Sequence, residues 1–120
     1  MENPLVDGIV HPGNPVFPIQ AEEVVKAAKE KGIFLELNNS SFLESTSRKG
    51  SYENDLRIAR LARESELEII VSSDAHLASA VGEFGEAIKV ATQAGFTEEK
   101  ILNSSLEKVR NFLNQKGKNV

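Results

Sequence analysis

The feature that most constrains the fold is an alternation along the chain. Short apolar runs are separated by longer stretches whose apolar residues recur at helical spacing. Leu5 to Val10, broken by Asp7-Gly8, reads as a buried strand. Ile33 to Leu37 reads as a second strand and Glu68 to Ser72 as a third. Ala21 to Lys31 reads as a helix with Val24, Val25, Ala27 and Ala28 on one side, and Gly32 is suited to end it. Tyr52 to Glu66 reads as a second helix, N-capped by Ser51, with Leu56, Ala59 and Ala62 along its inner stripe. A third helix is expected over Ala78 to Ala94, stopping at Gly95. Thr97 can then cap a short turn, and Ile101-Leu102 reads as a stub of extended chain. Ser104 and Glu107 have the spacing of a capping box for a last helix running to Lys116-Gly117.

A β-α-β-α-β-α order followed by one more helix implies right-handed crossovers and a parallel sheet with helices outside it. Three or four strands are few for such a sheet, so its edges are expected to be exposed. The pattern fits an arc of an α/β barrel better than a complete fold. Leu106, Val109, Phe112 and Leu113 share helical spacing and are expected to pack, as are Phe34, Phe84 and Phe96.

Composition removes several function classes. The net charge of −4 and the absence of any basic cluster longer than Arg48-Lys49 argue against a nucleic-acid surface. With no cysteine, disulfides and thiolate metal sites are excluded, which suits a cytoplasmic protein. No apolar run approaches the ~20 residues of a membrane span. Met1-Glu2-Asn3-Pro4 lacks the basic and apolar regions of a signal peptide.

In parallel α/β architecture functional groups gather at the C-terminal ends of the strands. Both histidines of the chain fall there: His11 after the first predicted strand and His76 after the third. In Asp74-Ala75-His76 the i, i+2 spacing of extended chain projects a carboxylate and an imidazole to one side. Both are good ligands for Zn²⁺, Mn²⁺ or Fe²⁺. The same residues also describe an ordinary strand-end turn with a surface histidine. His11 is also open to two readings, a turn histidine bonded to backbone or a metal ligand. Its loop is stiffened by Pro12 and Pro15, and Gly13 permits a positive φ. The polar stretch from Asn38 to Ser51 carries Ser40, Ser41, Ser45, Ser47, Arg48, Lys49 and Gly50. Arg48 could grip a phosphate, and the helix start at Ser51 favours anions. A solvated loop would look the same. Glu36 alternates with Leu35 and Leu37, so it is expected to point into the barrel with Phe34 and Asn38, as a buried carboxylate that supports ligands without being one.

Taken together, Ile9-Val10-His11-Pro12-Gly13-Asn14-Pro15, Leu35-Glu36-Leu37-Asn38-Asn39-Ser40-Ser41-Phe42, Ser47-Arg48-Lys49-Gly50-Ser51, Ser73-Asp74-Ala75-His76 and Gly82-Glu83-Phe84 resemble the C-terminal part of small bacterial phosphatases of the PHP (polymerase and histidinol phosphatase) superfamily. Ile101-Leu102-Asn103 and Arg110-Asn111-Phe112-Leu113 resemble the ending of that family. The resemblance implies a distorted seven-stranded β/α barrel with a trinuclear metal centre at its strand ends. It implies hydrolysis of a phosphate ester of a small molecule, with His11, Asp74 and His76 each serving a different metal, zinc before manganese or iron. Asn38, Asn39, Ser41 and Arg48 would support those ligands or touch the substrate. The family's His-x-His and its second ligand motif have no counterpart here, because no histidine precedes His11 or lies between it and His76. The expectation is therefore a barrel fragment, completed by an N-terminal half or self-associating through exposed strand edges. The alternatives are a non-catalytic binding or assembly module, a histidinol-phosphate phosphatase and a polymerase-associated domain.

Overall fold

The computed structural model describes residues 3–44, 48–118 and 120. Ser45 and Ser47 of the polar loop lie outside the described residues. Strands β1 (Gly8–Ile9), β2 (Phe34–Asn38) and β3 (Ile69–Ser72) form one parallel sheet in that order. Gly8 pairs with Phe34 and Ile9 with Leu35, and Leu35 to Asn38 run beside Ile69 to Ser72. Helices α1 (Ala21–Lys31) and α2 (Ser51–Glu64) are the crossovers. Helices α3 (Gly85–Gln93) and α4 (Leu106–Gln115) follow β3.

Strand alternation sorts the two faces of the sheet. Leu35, Leu37, Ile69 and Val71 join Val25 and Ala28 of α1, Ile58, Ala59 and Ala62 of α2, and Ala87, Val90 and Ala91 of α3 in one buried cluster. Small alanines on each helix let the backbones approach the sheet closely. The opposite face of β2 carries Phe34, Glu36 and Asn38. Phe34 meets Phe112 of α4 at 5.7 Å between ring centroids, so α4 covers the beginning of that strand.

Several expectations are corrected. β1 is two residues long, and Leu5 and Val10 on either side of it are exposed; the Asn3 side chain accepts the Leu5 N–H in a turn before the strand. α3 starts at Gly85; Ala78–Ala80 is a separate 3-10 turn, and Gly82, at φ 85°, breaks the path between them. Phe84 precedes α3 and is more than one-third exposed, so it is not core. Leu106, at the exposed start of α4, is not a packing residue either. Gly50, at φ 95°, rather than Ser51, is the N-cap of α2. Ser105 rather than Ser104 caps α4, with its hydroxyl accepting the Lys108 N–H. Ser104 Oγ accepts instead from Lys108 Nζ at 2.8 Å.

The largest correction concerns the edge of β3. Ile101 bridges Ile69 in parallel, as the extended stub predicts, but Leu102 already begins a 3-10 turn. Two residues on, the Asn103 side chain accepts the Val71 N–H at 3.0 Å and donates Nδ2 to the Val71 carbonyl at 2.7 Å. One primary amide thus does the work of a neighbouring strand, and the outer edge of β3 is covered there. Asn103→Ala is expected to cost about 1–2 kcal/mol, since both Val71 groups lose their partner. Urea unfolding would show it as a lower midpoint at unchanged slope.

Candidate functional site

Because the sheet is parallel, His11, Asn38, Asp74 and His76 all stand at its C-terminal end. The backbone there is unusual. Three non-glycine residues have positive φ among those described: His11 (33°), Glu66 (53°) and Asp74 (49°). Glu66 lies just past the end of α2, where the Leu67 N–H returns to the Ala62 carbonyl, and a left-handed residue is ordinary there. His11 and Asp74 end strands. Each such residue costs on the order of 1 kcal/mol or more and persists only when its surroundings hold it. Gly13, which would permit a positive φ, does not adopt one; His11 takes that conformation instead.

Glu36 holds the site together. It is 6% exposed. Its Oε2 accepts the His11 N–H at 2.7 Å and, more distantly, Asn38 Nδ2 at 3.4 Å. Its Oε1 accepts the Ser72 hydroxyl at 2.6 Å. One buried carboxylate thereby ties the ends of all three strands. Asn38, also buried, donates Nδ2 to Asp74 Oδ2 at 3.1 Å and accepts the Ser41 N–H. Arg48 donates to Ser41 Oγ at 2.6 Å and stands 3.9 Å from Asp74 Oδ2, with its side chain 30% exposed. Asn39 faces elsewhere: its Oδ1 accepts the N–H groups of Glu86 and Ala87 and so caps α3. His76 is exposed, and its Nδ1 lies 2.9 Å from the Asp74 carbonyl oxygen. A carbonyl can only accept, so in the neutral ring Nδ1 carries the proton and Nε2 offers a lone pair.

Asp55 is a site residue that the helical pattern did not single out. It is fully buried on α2, and its Oδ1 accepts the Gly13 N–H at 2.9 Å. Burial pushes its carboxyl up to about 7; the Gly13 N–H opposes this, nearby Glu36 adds to it and Arg48 pulls it down. The signal was present, since Asp55, Ala59 and Ala62 lie at i, i+4 and i+7 on the inner stripe, where a carboxylate is out of place. Its pH consequence has a definite sign. Below its unfolded value of 3.8 the group is neutral in both states. Between there and about 7 the folded chain holds the proton more tightly, so stability falls as pH rises through this window. Asp55→Asn should flatten that slope in urea titrations between pH 4 and 7.5.

The donor types at the strand ends suit a divalent cation: two imidazoles and a carboxylate. They do not converge, however. Among the described residues no group of three or more His, Cys, Asp or Glu is placed to hold one ion. No described helix is long and apolar enough to cross a membrane.

Fold and strand-end chemistry together define an α/β protein whose polar site is assembled from loops after parallel strands. The family model described as PHP-associated matches residues 53–107. The chain is similar to the C-terminal part of proteins of the PHP superfamily. It is 49% identical over 120 residues to a probable phosphatase of Thermoanaerobacter sp. (strain X514), covering 100% of this chain and 48% of that protein. A probable phosphatase of Caldanaerobacter subterraneus subsp. tengcongensis is 47% identical over 120 residues, 100% of this chain and 46% of the relative. One of Shewanella amazonensis is 45% identical over 117 residues, 98% and 46% respectively. The chain therefore spans about half the length of the curated relatives it matches.

Proposed function

We propose that this chain is the C-terminal arc of a distorted seven-stranded β/α barrel that hydrolyses phosphate monoesters of small molecules with the help of divalent metal, zinc before manganese or iron. The observation that carries the reading is the pair of left-handed strand ends, His11 and Asp74, joined through Glu36 and Asn38. Strained backbone supported by a buried polar network is what a site needs when side-chain position matters more than local stability. The names of the relatives, probable phosphatases, agree with it. In this reading His11, Asp74 and His76 each contribute one ligand, and other donors lie outside this chain. A bound divalent cation supplies charge neutralisation at phosphoryl oxygens and acidity to a water ligand.

The chain's own residues have separable tasks. Asn38 fixes the Asp74 carboxylate by donating to Oδ2 and leaves Oδ1 for a ligand role. The Asp74 carbonyl fixes the His76 tautomer. Arg48 is a partly exposed guanidinium beside Ser41, able to meet a phosphate with two parallel N–H groups. The test is phosphate release from p-nitrophenyl phosphate with added Zn²⁺ or Mn²⁺, by this chain supplied with the remaining half of a relative's length. Arg48→Ala should raise KM by about tenfold or more, and Arg48→Lys should recover only part of that. Metal-independent turnover, or no turnover with any of these metals, would sink the reading.

A further inference from the structure

We propose that Asp55 is a positioning residue for His11: from α2 it grips the Gly13 N–H and, with Asn54 on the Gly13 carbonyl, it clamps the loop that sets the His11 backbone in its left-handed conformation. The inference rests on the reading of His11 as a ligand only for its functional meaning; its structural content stands alone.

The contacts account for the loop group by group. The His11 N–H goes to Glu36 Oε2, and the His11 carbonyl accepts the Asn14 N–H at 3.1 Å. The Gly13 N–H goes to Asp55 Oδ1 and the Gly13 carbonyl to Asn54 Nδ2 at 3.0 Å. Adjacent residues of one helix thus hold both polar groups of Gly13, while a strand residue holds His11. Pro12, between them, is buried and rigid in φ. A side chain at position 13 would collide with this clamp, since a Cβ there would lie 2.3 Å from Asp55 Cγ and Oδ1. The glycine is required for the close approach of the carboxylate, not for its own backbone angle.

Packing alone does not explain an aspartate here. It is 0% exposed, and its Oδ2 has no hydrogen-bond partner among the described residues. An apolar residue would fill the same inner stripe without a buried polar oxygen. What an apolar residue cannot do is accept the Gly13 N–H. Supporting groups of this kind orient a ligand residue at the expense of stability elsewhere.

The experiment is NMR of the ¹⁵N-labelled chain without metal. Asp55→Ala should speed hydrogen exchange at the Gly13 amide by about tenfold. It should also shift the His11 ring resonances toward those of free histidine while leaving His76 in place. Asp55→Asn keeps an oxygen acceptor and should restore both signals. Should Asp55→Ala not fold, Asn54→Ala removes the second arm at an exposed position and should move His11 in the same direction. A folded Asp55→Ala or Asn54→Ala chain with wild-type His11 and Gly13 signals overturns the proposal. So does an Asp55→Asn chain as perturbed as Asp55→Ala, which would reduce Asp55 to charge or packing. The ligand role of His11 is tested separately, by whether Co²⁺ shifts its ring resonances when the wild-type chain is supplied with the remaining half of a relative's length.

Discussion

Titrated calorimetrically with Zn²⁺, the 120-residue chain should bind far more weakly than a structural zinc site, whose four ligands supply ~10 kcal/mol or more. It should also release little or no phosphate from p-nitrophenyl phosphate. The reason is the count and placement of donors. His11 comes from the end of β1, Asp74 and His76 from the end of β3, and no three acidic or imidazole groups meet among the described residues. Asp74 Oδ2 is already engaged by Asn38. If each donor serves a different ion, each ion keeps one ligand from this chain, and affinity depends on several donors converging. Supplying the remaining half of a relative's length should restore both binding and turnover. The competing outcome is equally definite. One tight site abolished by His76→Ala would mean that Asp74 and His76 chelate a single ion together.

The second large effect concerns stability and needs no metal. Glu36→Ala should destabilise the chain by about 2–3 kcal/mol, because it strands one buried Asn38 donor and takes their partner from the partly buried His11 N–H and Ser72 hydroxyl. Glu36→Gln should cost much less, about 1 kcal/mol. Its oxygen can still face the His11 N–H, and its NH₂ can face Ser72 Oγ, since a hydroxyl accepts as well as donates. Urea unfolding of the three proteins distinguishes the cases. Equal losses for Ala and Gln would show that Glu36 matters for its charge and not as a junction of hydrogen bonds.

The order of strands and helices was legible because burial leaves a periodic trace. Val25 and Ala28, or Ala59 and Ala62, must repeat at helical spacing if one face is to be dry. The location of the site was legible for a topological reason, since parallel strands bring His11, Asn38 and Asp74 to one end wherever the helices lie. What escaped was carried by single side chains acting across the sequence. Asn39 caps α3 from the end of β2, and no residue near Gly85 announces it. The left-handed turn fell on His11 rather than on Gly13 two residues on, whose missing side chain instead admits Asp55. Ser51 looked like a cap, yet Gly50 could adopt the left-handed angle and Ser51 entered the helix, fully buried.

The amide of Asn103 also bears on the order in which the chain can fold safely. Asn103 lies 32 residues after Val71, whose two backbone groups it occupies. During synthesis β3 is therefore complete well before its guard arrives. In that interval Val71 offers a donor and an acceptor to whichever extended segment reaches it first, including β3 of another nascent chain. An Asn103 variant would make that interval permanent. Its clearest symptom would then be loss of yield at high protein concentration during refolding, greater than its change in equilibrium stability would suggest.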